Sequence, residues 1–267
     1  MSWTTAARLS RAQCNVAIFV GEEPSHISNV VGIALARVLL SRGYSCFFPR
    51  VVYFLNEPDE IISGLGAEVR ALSPSTRDLH HIEEALYGVN VLVDLSLGRA
   101  GASRRVLDAC ISVGVSVYFY LTYASSVLEL SAARETSKLF RQTTQEAFSQ
   151  STKASKTQAV VVDVGCLMEE VESSITTTSA GHSHLSALAD TPSSSGQTGA
   201  VACTATNDVA TTLAELSILA MSSRSRVPDH VQIAGDVYAP GPKAVRSDNE
   251  LVNPAERIWK WTKLRDP

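Results

Sequence analysis

From Asn15 onward, short continuous apolar runs of strand length alternate with segments whose apolar residues recur at helical period. That alternation is the pattern of a parallel sheet covered by helices on both faces. The runs span residues 15–20, 44–48, 68–71, 90–95, 115–120 and 159–164, and their content is mostly β-branched or aromatic. Between them, residues 28–42 place Val31, Ala34, Leu35 and Val38 on one stripe, and residues 103–113 do the same with Val106, Ala109, Cys110 and Val113. Gly43 and Gly114 stand where a helix C-cap belongs. With right-handed crossovers, this order predicts an α/β fold with a doubly wound, Rossmann-like parallel sheet.

The regularity ends after the sixth run. About half of residues 173–198 are Ser or Thr, interspersed with Gly181, Pro192 and Gly196, which reads as loop or lid. A helix restarts at Asn207 and Asp208 with the stripe Val209, Leu213, Leu216 and Ala220, and a strand follows at residues 230–234. Residues 254–264 read as a short helix carrying Trp259 and Trp261. The expected organisation is an N-terminal arm (1–14), a Rossmann-like domain (15–172), and an irregular lid with a small, reduced C-terminal cap (173–267).

Composition narrows the functional classes. At 267 residues with 45% hydrophobic content the chain can bury a full core, and a net charge of −4 provides no basic footprint for nucleic acid or an anionic membrane. The longest strongly apolar stretch, residues 30–40, is interrupted by Arg37 and is far shorter than the roughly 20 residues a bilayer span requires. Five cysteines spread singly, with no CxxC pair, read as reduced thiols in a cytoplasmic protein.

Several phrases, taken in order, resemble the NmrA-like, isoflavone-reductase-like branch of the atypical short-chain dehydrogenase/reductases. They are Asn15-Val-Ala-Ile-Phe-Val-Gly21, Leu39-Leu-Ser-Arg-Gly-Tyr44, Gly66-Ala-Glu-Val69, Ala85-Leu-Tyr-Gly-Val-Asn-Val-Leu92 and Val106-Leu-Asp-Ala-Cys-Ile-Ser-Val-Gly-Val115. Later come Gly165-Cys-Leu-Met-Glu169, similar to a Gly-x-x-Met-Glu turn of that family, and Thr206-Asn-Asp-Val-Ala210, similar to its Asp-opened helix. The resemblance implies NAD(P)H binding through a glycine-rich turn between the first strand and helix, with Gly21 in the first glycine position and Gly32 in the last. It also implies that Arg50, read as ending the second strand, meets the 2′-phosphate of NADP.

That turn departs from the family. Residues 22–31 are about five longer than expected, contain no middle glycine, and bring Glu22 and Glu23 to where a diphosphate would sit. Like charges about 4 Å apart repel by roughly 1 kcal/mol even in water. Serines 25 and 28, with Asn29, are read as helix caps that leave the helix amides open. The expected cofactor is therefore none, or weakly bound NADP(H).

For chemistry, no tyrosine has a lysine four residues later, so the short-chain dehydrogenase pair is missing. The resemblance implies instead a single helix lysine, matched by Lys138. Thr122, Tyr123 and Ser125 follow the fifth run at the edge where α/β folds bind ligands, placed to orient a carbonyl. His182 and His184 border the expected cleft, where histidine suits proton transfer, and no third ligand is spaced for a metal. The leading expectation is an enzyme that performs non-redox isomerisation, cyclisation or dehydration of a small organic molecule of secondary metabolism. An NAD(P)H-dependent reductase of a carbonyl or alkene and an NmrA-like NAD(P)-sensing regulator are the alternatives. Expected partners are a small-molecule substrate and a second copy of the chain, with a pocket that is either shallow or completed by that second subunit.

Overall fold

The computed structural model describes residues 12–21, 26–41, 47–54, 60–70, 79–96, 100–124, 156–169, 201–221, 227–238 and 247–263. Their nine strands form one sheet: β1 (Ala12–Phe19), β2 (Phe47–Phe54), β3 (Glu68–Arg70), β4 (Val91–Asp94), β5 (Val117–Ala124), β6 (Gln158–Leu167), β7 (Val201–Thr204), β8 (His230–Gln232) and β9 (Asp236–Tyr238). The order is β3-β2-β1-β4-β5-β6-β7-β9, with β8 also on β6. The pairings are parallel except the last, β7 with β9, which is antiparallel. From β1 the chain steps outward to β2 and β3, then returns to β4 on the other side of β1. This reversal opens a crevice at the carboxyl ends of β1 and β4.

Helices cover both faces, as the apolar runs require. They are α1 (His26–Ser41), α2 (Glu60–Gly64), α3 (Leu79–Ala85), α4 (Ala100–Val113), α5 (Thr206–Met221) and α6 (Asn249–Val252). Period-2 alternation along each strand divides the core. Val16, Ile18, Val93, Phe119, Leu121 and Val162 meet α1 and α5 on one face, and α1 lies beside α5. Ala17, Phe19, Leu92, Tyr118, Tyr120 and Val161 meet α3 and α4 on the other.

Three expectations are corrected. The second strand is residues 47–54 rather than 44–48, with Val51 to Phe54 fully buried. Pro49 and Arg50 interrupt the apolar run and hide the strand, yet at that level β2 has β1 as its neighbour while β3 begins only opposite Val52. Proline is tolerated where one side of a strand is open. The strands β7 and β9 were missed, because a Ser/Thr-rich stretch precedes one and each is four residues or shorter. The C-terminal helix expected over 254–264 is instead a 3-10 turn at Pro254–Glu256 followed by irregular chain. There the Asn253 side chain replaces helical bonding: Nδ2 donates to the Trp259 carbonyl at 2.8 Å, and Oδ1 accepts from the Ile258 amide at 2.9 Å. Trp261 is carried into the core beside Trp259, with ring centroids 4.9 Å apart. The first strand starts at Ala12, inside the stretch read as an arm, while residues 173–198 lie outside the described ones.

Residue pairing between β5 and β6 slips near their carboxyl ends. Thr122 pairs with Asp163 but Ala124 with Cys166, so β6 carries one extra residue. Gly165 absorbs the bulge with φ +68, and a Cβ there would stand 2.2 Å from the Ala202 carbonyl oxygen of β7. Gly165 was read as belonging to a turn; it lies within the strand. Gly165→Ala combines backbone strain with a backbone clash and should cost about 3 kcal/mol or more, measured by chemical denaturation.

Candidate functional site

The floor of the crevice is built where β1 and β4 end. The Leu95 amide donates to the Phe19 carbonyl at 2.7 Å. The next residues must diverge, and Gly21 turns away with φ +95, where an added Cβ would lie 3.2 Å from the Cβ of Ser96. Asp94, fully buried at the end of β4, accepts the Ser96 amide on Oδ1 at 2.8 Å and the Tyr118 hydroxyl on Oδ2. Burial, reinforced by the Asp94 carboxylate, pushes the Tyr118 phenol well above its ordinary value and keeps it a protonated donor. The same two causes raise the Cys110 thiol of α4. Asp94 thus pins the β4 exit from below through bonds inside the protein.

Helix α1 closes the crevice from above. Ser28, its third residue, is buried and donates from Oγ to the Leu95 carbonyl at 2.7 Å. The expected cap is instead a staple between the first turn of α1 and the β4 exit. Gly32 lies in the second turn, where an added Cβ would be 2.3 Å from the Tyr53 hydroxyl and 2.9 Å from Val20 Cγ1. The absence of a side chain lets α1 settle onto β1 and β2.

Two of the three glycine functions of a dinucleotide turn are therefore present: the tight turn at Gly21 and the helix–strand contact at Gly32. The third is close backbone approach to the pyrophosphate at the helix start. Here α1 begins at His26, six residues or about 9 Å before Gly32, and among its described opening residues none is glycine. Residues 22–25, which connect Gly21 to that start, lie outside the described residues.

Arg50 does not end the second strand. It pairs with Asn15 in the middle of β2, four residues before the carboxyl end at Phe54 and about 13 Å from it. Its guanidinium reaches Glu68 at 2.5 Å, while Arg70 Nε bonds the same carboxylate at 2.9 Å. The arginine that the resemblance assigned to a 2′-phosphate is instead turned to the start of β3, away from the crevice. Arg70, with Arg50, holds the Glu68 carboxyl below its ordinary value.

At the carboxyl end of β5, Thr122 is buried and donates to the Val162 carbonyl at 3.4 Å, which engages the hydroxyl in the sheet. Tyr123 points to the opposite face, half-buried against the core on the α1 side. Thr122 and Tyr123 therefore do not converge. Ser125, Lys138, His182 and His184 lie outside the described residues, as do Glu22, Glu23 and Ser25. Glu169, part of the phrase read as a turn, accepts the Thr206 amide at 2.8 Å and caps α5 from the end of β6. Asp208 accepts the Thr262 amide at 2.7 Å, and Lys263 donates to the Gly235 carbonyl at 2.8 Å, so the C-terminal segment crosses the start of α5. Spacing alone gave no sign of the Ser28, Glu169 and Asp208 bonds, since each joins residues at least 37 apart. Among the described residues no cluster of three or more His, Cys, Asp or Glu is placed to hold a metal, and no helix is long and apolar enough to cross a membrane.

This is a Rossmann-like doubly wound α/β protein, with its switch point between β1 and β4. Among solved structures it is similar to an NADPH-dependent quinone oxidoreductase from Escherichia coli, with a TM-score of 0.52 and 18% identity over 84% of this chain and 70% of that one. It is likewise similar to a nucleoside-diphosphate-sugar epimerase from Staphylococcus aureus (TM-score 0.53, 14% identity, 85% and 72% covered). A third likeness is to the triphenylmethane reductase of a Citrobacter species, solved with NADP(H) (TM-score 0.52, 13% identity, 85% and 72% covered). No protein-family model and no curated protein sequence matches the chain. At these identities the likeness establishes a fold shared with these reductases and this epimerase, which is the coarser part of the resemblance read from the sequence.

Gly32→Ala should destabilise the protein by about 1–3 kcal/mol in denaturant, and adding Tyr53→Phe should recover part of that loss by removing the contacted hydroxyl. The carboxylates generate a pH prediction of opposite signs. Burial raises Asp208 above 3.8, so through that window the folded state binds more protons and stability falls as pH rises. Glu68 is lowered from 4.5, so its contribution is complete above that value and is lost as pH falls through the lowered one. Denaturation curves between pH 3 and 6 should accordingly lose the Asp208 component in Asp208→Asn and the Glu68 component in Glu68→Gln.

Proposed function

We propose that the protein is an enzyme acting on a small organic substrate at the carboxyl edge of the sheet, by isomerisation, cyclisation or dehydration, with a dinucleotide site weakened relative to its reductase and epimerase neighbours. The observation that carries this reading is the placement of α1. Its first turn is stapled to the β4 exit by Ser28, and the glycine matched to the last of the motif stands a full turn and more inside the helix. A diphosphate seeking the helix amides meets side-chain-bearing residues, where closer backbone approach is needed.

In this reading Tyr123, half-buried beside the crevice, binds and orients the substrate, and Lys138 with His182 or His184 supplies the acid and base groups. Thr122 supports the β5–β6 edge. The similar structures include a reductase, an epimerase and an NAD-dependent 5,6-dehydratase of a nucleotide hexosamine (TM-score 0.52, 14% identity), so the scaffold hosts eliminations as well as reductions.

A second reading, an NAD(P)H-dependent reductase, is favoured by one observation: Gly21 and Gly32 keep their geometric functions at the turn and at the helix contact. Titration with NADPH and NADH, followed by tryptophan fluorescence and by thermal midpoint, separates the two, because a ligand specific to the native state must stabilise it. The expected result is no saturation below millimolar cofactor. Saturable binding in the micromolar range would overturn the leading reading in favour of the reductase. In either case Arg50→Ala should leave the titration unchanged, since that side chain is committed to Glu68.

A further inference from the structure

Cys166 and Cys203 were read in the sequence as isolated thiols, 37 positions apart. The sheet brings them together: they are register partners on the neighbouring parallel strands β6 and β7. Residues paired in this way project to the same face, from strands about 4.8 Å apart. That separation falls inside the Cα–Cα range of roughly 4.4–6.8 Å that a disulfide spans. The strands are close at this point, because the neighbouring Gly165 is in contact range of the Ala202 backbone. Both side chains are buried thiols rather than half-cystines. Cys110, also a buried thiol, sits on α4 and belongs to the Asp94 and Tyr118 cluster.

We propose that Cys166 and Cys203 are a redox-active dithiol that a small hydroperoxide closes to a disulfide. One thiolate attacks the peroxide O–O bond, forming a sulfenic acid and releasing the alcohol, or water from hydrogen peroxide. The second thiolate attacks the sulfenic sulfur, the S–S bond forms, and water leaves. Two thiols and one hydroperoxide give one disulfide, one alcohol and one water; the sulfurs lose two electrons and the O–O bond gains them. Access fits a small uncharged oxidant, because among the described residues β7 is held by two pairs to β6 and three to β9, short ladders at the edge of the sheet that can open locally. The bond would tie the two strands at the base of the connection between them, next to the β6 bulge. It would also constrain the unfolded chain across a loop of 37 positions.

The test treats the full-length native protein with hydrogen peroxide, blocks remaining thiols after unfolding, and maps peptides by mass spectrometry without reduction. The expected result is a Cys166–Cys203 link that dithiothreitol reverses and that raises the thermal midpoint by roughly 5 °C or more. The link should survive in Cys110→Ala and vanish in Cys203→Ser. Recovery of both Cys166 and Cys203 as alkylated thiols after excess peroxide would overturn the proposal. So would a link joining either of them to another cysteine. Because the decisive measurement is made on the unaltered chain, a variant that fails to fold does not remove it.

Discussion

Close approach of α1 to the sheet is the constraint on which the crevice depends. A helix can lie against two parallel strands only as near as its inward side chains allow. At position 32 the space between the helix and Tyr53 and Val20 admits no side chain at all. Once α1 is seated, Ser28 reaches the Leu95 carbonyl, Gly21 must turn sharply past Ser96, and α5 packs alongside to complete the same face. The packing thus sets where the helix begins relative to the strand ends, and that offset decides which groups face the crevice.

The polar side chains of the site fall into two sets. Asp94, Thr122 and Asp208 are engaged with tyrosine, backbone carbonyls or amides inside the protein, as buried groups must be, and the exposed Glu169 accepts the Thr206 amide. These hold the edges of β4, β5 and β6 and the start of α5 in place. Tyr123 lies on the α1 side at the end of β5, half-buried.

The β5–β6 edge carries a second device. A bulge held by Gly165 re-aims the last residues of β6, so that Cys166 comes into register with Cys203 while Leu167 returns to the core opposite Thr204. The bulge connects the geometry of the β5–β6 edge to that of β7, and Glu169 beyond it caps α5. Bulges are concentrated beside functional sites for this reason, since one extra residue redirects several side chains at once.

The apolar runs and helical stripes by themselves determined the doubly wound class, the helices α1, α4 and α5, and the strands β1, β4, β5 and β6, while the two outer glycine positions of the turn were implied by the family resemblance. Burial of strands on both faces and of one stripe per helix is a local pattern that one-dimensional periodicity records. Strand β2 was displaced in that reading because Pro49 and Arg50 are polar or breaking residues in a strand whose neighbour begins later. The meaning of individual polar residues was settled only by tertiary structure. Arg50 was assigned to the wrong end of its strand, Ser28 proved to be a staple, Glu169 a cap for a distant helix, and two cysteines separated by 37 positions became neighbours. Hydrogen bonds and register form between segments that the chain brings together from afar, and no spacing within a segment encodes which partner a polar atom will meet.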